Sequence, residues 1–234
     1  ESTDAQEFGT AFHTAVLEPA LFERTFVVAP ACDRRYKEGK AIWQQFHANL
    51  RPGQEVVTSS DYELMCQIIA SVHRDADCAA LIEGARYREL WIVWEDDNTG
   101  LLCKARLDAI SRVGGQTWIV DLKTIQDASR HAFQGAMMRY RWYRSMAWYR
   151  HGLNVLRPAP RRCAFLAAEK TPGIPGKVWS LSEQALDIGL SEIMADLRRY
   201  AAARDCGIWP GYGPVEDIEL PKWKINEHEQ PTEY

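Results

Sequence analysis

Glu89, Asp108, Asp121 and Lys123 are the residues of this chain whose types and spacing most readily suggest chemistry. They lie in three successive stretches, Glu89 to Asp96, Leu101 to Ser111 and Thr117 to Lys123, each with the alternating, β-branched and aromatic pattern of a strand. The connectors, Asp97-Asn98-Thr99-Gly100 and Gly114-Gly115, have the composition of hairpin turns. A turn fixes the register of the strands it joins. Counting outward from Gly114-Gly115 sets Asp108 opposite Asp121, and counting outward from Asn98-Thr99 sets Glu89 opposite Asp108.

Three carboxylates would then stand in a row across adjacent strands. Directly opposed side chains have Cβ atoms about 4.5–5.5 Å apart, where like charges repel. Such a row either raises a pKa steeply or calls for a counter-charge. A divalent cation with a preference for oxygen ligands, Mg²⁺ or Mn²⁺, answers that need. Strand alternation puts Lys123 on the face of Asp121, where its ammonium could orient a water and stabilise charge developing on a phosphate. Leu107, Ala109, Val120 and Leu122 are expected on the opposite, apolar face. An acid on a solvated strand is ordinary by itself. What singles these out is that the turns set both registers without reference to the carboxylates.

The elements that must position this row can be read from pattern and punctuation. A helix is predicted from Gly9 to Glu18, stopped by Pro19. A capping box, Ser60-Asp61-Tyr62-Glu63, opens another over Leu64 to Ser71, and Asp75 to Glu83 continues helically to a C′ glycine, Gly84. One long helix is predicted from Ser129 to His151, with Phe133, Met137, Tyr140 and Trp148 in the core and Arg141 and Arg144 as phosphate contacts. A strand pair follows (Arg162 to Ala168, Lys177 to Leu181), then a helix from Ser182 to Cys206 closed by Gly207. This order predicts an α/β (α+β) fold, a central mixed sheet flanked by helices, in a single domain spanning residues 1–234. The opening Glu1-Ser2-Thr3-Asp4 suggests a piece of a longer protein.

Composition narrows the function. With 46% hydrophobic and 26% charged residues, the 234-residue chain can bury a core. A net charge of −4 argues against a general coat for polyanions but leaves room for a local basic groove, and Arg34, Arg35, Lys37 and Lys40 form a second basic cluster. Six cysteines without a C-x-x-C pair read as reduced thiols rather than a disulfide or zinc framework. No apolar run has the length of a membrane span, so a soluble protein without a membrane partner is expected. There is no glycine-rich phosphate loop for ATP and no activated serine or cysteine motif.

Several runs, taken in order, resemble a known family. They are Phe8-Gly9-Thr10-Ala11-Phe12-His13, Leu17-Glu18-Pro19, Phe26-Val27-Val28-Ala29-Pro30, the Arg34 to Lys40 stretch, Cys103-Lys104-Ala105-Arg106-Leu107-Asp108, Trp118-Ile119-Val120-Asp121-Leu122-Lys123-Thr124, Tyr140-Arg141, Ala147-Trp148-Tyr149 and Leu220-Pro221-Lys222-Trp223. With Asp108, Asp121 and Lys123 among them, the chain resembles the PD-(D/E)XK nucleases and, more closely, the nuclease domain of the RecE exonucleases. The resemblance implies a restriction-endonuclease-like core and an ATP-independent exonuclease that uses Mg²⁺, with Mn²⁺ as substitute. It would degrade linear double-stranded DNA from 5′ ends, leaving 3′ single strands for a RecT-like annealing protein in recombination. A toroidal tetramer and a cytoplasmic, bacterial or phage-encoded protein are also implied.

By the same resemblance Asp108 and Asp121 are metal ligands and Lys123 is the catalytic lysine. His13 and the Leu122 carbonyl would be further ligands, beside Glu89 from the register. The family's Gln-x-x-x-Tyr is represented here by Tyr149, but Ser145 replaces the glutamine, and Gln134 lies about three helical turns away. That departure bears on how DNA is held by Tyr149, Arg141, Arg144, Arg34, Arg35 and Lys37 more than on metal binding. Two other readings are a nuclease-fold protein that binds DNA ends or a partner with little or no cutting, and an endonuclease.

Overall fold

A computed structural model describes residues 4–229. Helix α1 (Asp4–Leu17) is followed at once by α2 (Pro19–Thr25). Pro19 therefore starts a second helix as well as ending the first: it sits in the opening turn of α2, where a missing N–H leaves no bond unmade. Three elements come next that the sequence reading did not anticipate, β1 (Phe26–Val28), α3 (Lys37–Ala48) and β2 (Glu55–Val57). β1 and β2 pair in parallel, Phe26 with Glu55 and Val28 with Val57.

Helix α4 (Ser59–Val72) starts earlier than expected. Its cap is Thr58, whose Oγ1 accepts the Asp61 N–H at 3.1 Å and donates to the Asp61 carboxylate at 2.7 Å. Helix α5 (Ala76–Glu83) is capped by Asp75, whose carboxylate accepts the Cys78 N–H at 2.9 Å. Gly84 closes α5 as expected, with φ −72°. Space is what it supplies, because a Cβ there would come within 2.9 Å of the Arg112 carbonyl oxygen.

The main sheet contains β3 (Ala85–Asp96), β4 (Leu101–Val113), β5 (Gln116–Ile125), β6 (Arg162–Glu169) and β7 (Lys177–Ser180), hydrogen-bonded in that order. Only β5 and β6 run parallel. Their crossover passes through α6 (Arg130–Arg139) and α7 (Trp142–Leu156), as a parallel pair requires. Helices α8 (Glu183–Cys206) and α9 (Lys222–Glu229) follow. The Ser182 side chain caps α8, and Gly207, with φ 70°, closes it.

The sheet separates two apolar clusters. On one side Phe12, Met65, Ile68 and Val72 from α1 and α4 pack with Val120, Leu122 and Leu166. On the other, Met146, Ala147 and Leu186 from α7 and α8 pack with Ile119, Phe165 and Ala167. Gly152 of α7 lets the helix approach β3, since a Cβ there would lie 2.6 Å from the Trp94 ring. Gly152→Ala is expected to destabilise the protein by about 1–3 kcal/mol through overpacking. A urea titration measures the loss, and pairing the change with Trp94→Leu should recover most of it.

The single helix expected from Ser129 to His151 is two. It breaks at Tyr140-Arg141, where Arg141 adopts φ 54°. On one straight helix Phe133 and Trp142, nine residues apart, would point about 180° from one another. With the break, both rings pack on Phe165, at centroid distances of 5.6 and 6.1 Å. Tyr140, expected in the core, lies at the break and is 59% exposed, stacked on Trp142. Among the described residues no helix is long and apolar enough to cross a membrane, and all six cysteines are free.

Candidate metal centre

The site lies where β4 and β5 part. Their ladder follows the turn-derived register from Val113↔Gln116 to Ala109↔Val120 and stops one step short of Asp108 and Asp121. In place of a further ladder bond, the Asp108 carboxylate accepts the Leu122 N–H at 2.8 Å. On the other edge, Arg88↔Ala109 and Leu90↔Leu107 bracket Glu89 and Asp108, as the other turn predicts. Glu89 itself has φ 47°, in the left-handed region that a non-glycine residue enters only when its surroundings hold it there.

These irregularities divide the face expected to be uniformly apolar. Cys103, Ala105 and Leu107 pack in the α7–α8 cluster, Ala109 in the α1–α4 cluster, and Ile110 returns to the first. Alternation thus breaks around Asp108. Leu107 lies on the other side of the sheet from Ala109, Val120 and Leu122, and α1 brings a third element to the break.

His13 of α1 places Nδ1 3.5 Å from Asp108 Oδ2. One ligand atom from each of His13, Glu89 and Asp108 lies within 4.8 Å of the others. Asp121 stands beside this trio, only 3% exposed, with Oδ2 paired to the Lys123 ammonium. Glu89 Oε2 faces Arg106 Nε at 3.0 Å. Both carboxylate oxygens are buried, and neither has an aligned hydrogen bond from its cation. Buried acceptors left in that state suit a cation more than a finished hydrogen-bond network. Carboxylate oxygens and one imidazole nitrogen form a donor set compatible with Mg²⁺ or Mn²⁺.

The electrostatics follow from burial and crowding. Burial raises the pKa of Asp108, with Lys123 opposing. Burial raises Asp121 too, opposed by Lys123 and reinforced by Asp108. Glu89 is raised by burial and by Asp108, against the pull of Arg106. Burial disfavours the Lys123 ammonium, but Asp121 and Asp108 outweigh it and hold its pKa above the ordinary value. His13 falls to about 4, chiefly through burial and then through Lys123. Its imidazole is therefore neutral near pH 7, with a lone pair available to a ligand.

The other sequence-predicted residues divide. Burial pushes the Tyr149 hydroxyl up, helped by Asp121 and Asp108, so α7 brings this residue to the site. The Leu122 backbone lies against His13 and contributes to its titration. Arg144 pairs with Asp196 and lies 3.7 Å from Glu192, joining α7 to α8. Arg141 and Ser145 line a surface cavity of about 370 Å³ with Tyr140, Arg144, Trp148 and Ile193. Arg34 lies over the Trp43 ring of α3 at 4.5 Å, Arg35 pairs with Asp33, and Lys37 begins α3. This basic segment is not among the residues gathered around the trio. The sequence reading missed Arg106, although strand alternation from Asp108 would have indicated it. It also missed Trp142, whose ring lies 5.5 Å from Lys123 Nζ, because only the helix break brings it there.

The pattern of a PDDEXK-like domain of unknown function, DUF3799, matches residues 1–221. The chain belongs to this family. A nuclease-like PDDEXK domain accounts for a mixed sheet whose acids sit where two of its strands part. Among solved structures, the crystal structure of a "Putative exonuclease" from Eubacterium rectale superposes with a TM-score of 0.57 at 13% identity, covering 96% of this chain and 80% of the other. At that identity the likeness establishes the fold. The protein SSO0001 overlaps 81% of this PDDEXK-like chain and 86% of its own at 16% identity, with a TM-score of 0.29. No curated protein matches the sequence.

Proposed function

We propose that this PDDEXK-like domain is a metal-dependent exonuclease acting on linear double-stranded DNA in the 5′-to-3′ direction, without ATP. The observation that carries the reading is the His13–Glu89–Asp108 trio beside the buried Asp121–Lys123 pair. Bound there, Mg²⁺ or Mn²⁺ would act as a Lewis acid toward a phosphodiester and acidify a water. The chain's own residues account for the rest. Lys123 holds a positive charge two residues from Asp121, where it can meet the charge that builds on the phosphate oxygens. Neutral His13, together with the carboxylates of Asp108 and Glu89, offers a donor set that accepts a cation. Trp142 sets an aromatic ring from α7 beside Lys123, and the Tyr149 hydroxyl feels the charge of Asp121 and Asp108.

The polarity of degradation, the recombination role, the RecT-like partner and the toroidal tetramer belong to the proposal through the resemblance to RecE. The test compares 5′-phosphorylated linear duplex with covalently closed circular DNA, in Mg²⁺, Mn²⁺ and EDTA. Nucleotide release from the linear duplex, an intact circle, and loss of activity in EDTA and in Asp108→Asn are the expected results. A nicked or linearised circle would establish an endonuclease instead. Retention of DNA with no release in either metal would establish an end-binding protein, the reading kept open by Ser145.

A further inference from the structure

The outer part of the β3–β4 hairpin leaves one sheet face uncovered. Ile92, Trp94, Cys103 and Ala105 turn toward α7, whereas Trp91, Val93, Leu102, Lys104 and Arg106 point to solvent. The register pairs Trp91 with Arg106 and Val93 with Lys104, and further inward Leu90↔Leu107 and Arg88↔Ala109 bracket Glu89 and Asp108. Trp91 is 58% exposed, and both cations reach it, Lys104 Nζ and the Arg106 guanidinium each 5.8 Å from its ring centroid. Arg106 also contacts Glu89 at 3.0 Å, so the uncovered stripe is continuous with the metal trio. Glu95, opposite Leu102, lies at the turn end of the hairpin, away from the trio.

We propose that this stripe is a landing surface for single-stranded nucleic acid leading to or from the metal trio. Trp91 stacks one base, and Lys104 and Arg106 contact the flanking phosphates. The inference rests on the nuclease reading of the site and adds a substrate-holding surface to it. Charge and shape select the occupant. An exposed indole between two cations offers a stacking face together with phosphate contacts, the combination used to bind single strands without sequence preference. A protein partner would be poorly served by Lys104 at the centre of the face, because lysine is depleted at interface cores.

The experiment measures anisotropy of a fluorescein-labelled oligothymidylate with the full chain in EDTA, so that binding is read without cleavage. Trp91→Ala is expected to weaken binding roughly tenfold, and Trp91→Phe to retain most of it. Lys104→Ala should lower the slope of log affinity against log salt by about 0.7, the release expected for one phosphate contact on a single strand. Metal-dependent hydrolysis of a small nitrophenyl phosphodiester, too short to reach the stripe, should be unchanged in Trp91→Ala. If that small substrate is cleaved but the oligonucleotide binds equally to wild type, Trp91→Ala and Lys104→Ala, the landing surface is overturned and the nuclease reading stands. If the small substrate and duplex DNA are both inert while Trp91-dependent binding persists, the nuclease reading fails and the surface stands. A shift in oligomeric state on Trp91→Ala, measured by light scattering, with unchanged oligonucleotide affinity would assign the face to self-association and overturn the proposal.

Discussion

Lys123→Met is expected to reduce metal-dependent DNA hydrolysis by at least about 10²–10³-fold, the loss typical when one preorganised charge is removed from a developing anion. The same change should weaken the metal-free fold, in a pH-dependent way. Asp121 is buried, with Lys123 as its counter-charge. Removing one member of a buried pair commonly costs about 3–5 kcal/mol, because the other is left charged without compensation. Asp121 can escape that cost by taking up a proton, since burial and Asp108 already hold its pKa above the ordinary value. Without the lysine its folded pKa rises further, so the native state binds more protons than the unfolded chain over the intervening range. Stability of the variant must then fall as pH rises through that folded value. Urea titrations should show a small deficit relative to wild type near pH 5 and a large one near pH 8. A deficit independent of pH would mean that Lys123 acts through packing against Trp142 and not as the counter-ion of Asp121. Asp121→Asn introduced together with Lys123→Met should remove most of the deficit without restoring hydrolysis, which separates the two roles.

How much of this was legible beforehand depends on how local the determining interactions are. The β3–β4 and β4–β5 hairpins are set by turns of four and two residues, and both registers follow from them. Those turns set Asp108 and Asp121 one step beyond Ala109 and Val120, where the ladder itself ends. Three features could not be read. The break in alternation at Asp108 arises because its side chain takes the Leu122 N–H, a bond between two strands that no single-strand pattern encodes. Asp121 lies outside the His13–Glu89–Asp108 trio and is paired with Lys123 instead. The division of the long helix at Arg141 satisfies Phe133 and Trp142 on a common partner, Phe165, which comes from a strand still to follow in the chain. His13 illustrates the complementary case. Its spacing from Asp108 in sequence carries no information, and it was singled out only through the resemblance of the Phe8 to His13 run. The structure sets it at 3.5 Å from Asp108 because Phe12, its neighbour in α1, is fully buried against the sheet.

Mn²⁺ affinity is expected to collapse on acidification, with the carboxylates and not the imidazole setting where it does so. A histidine ligand with an ordinary pKa would begin to lose metal below about pH 6.5. His13, lowered to about 4 by burial and Lys123, remains neutral through that range. Glu89 and Asp108 have moved the other way, up from the ordinary carboxylate range, through burial and, for Glu89, through Asp108. Protons therefore compete with metal first at these two groups. Below both folded values two protons are displaced per ion bound, so affinity should fall by up to about 100-fold per pH unit. Manganese titrations followed by calorimetry between pH 8 and pH 5 measure this directly. Glu89→Gln should reduce the limiting steepness to about tenfold per unit, since one competing proton is removed. His13→Gln should lower the affinity at every pH while leaving the shape of the profile unchanged. A loss of affinity centred near pH 6.5 that disappears in His13→Gln would mean that the imidazole is solvated and titrates normally, which would overturn a buried, neutral His13 at the metal.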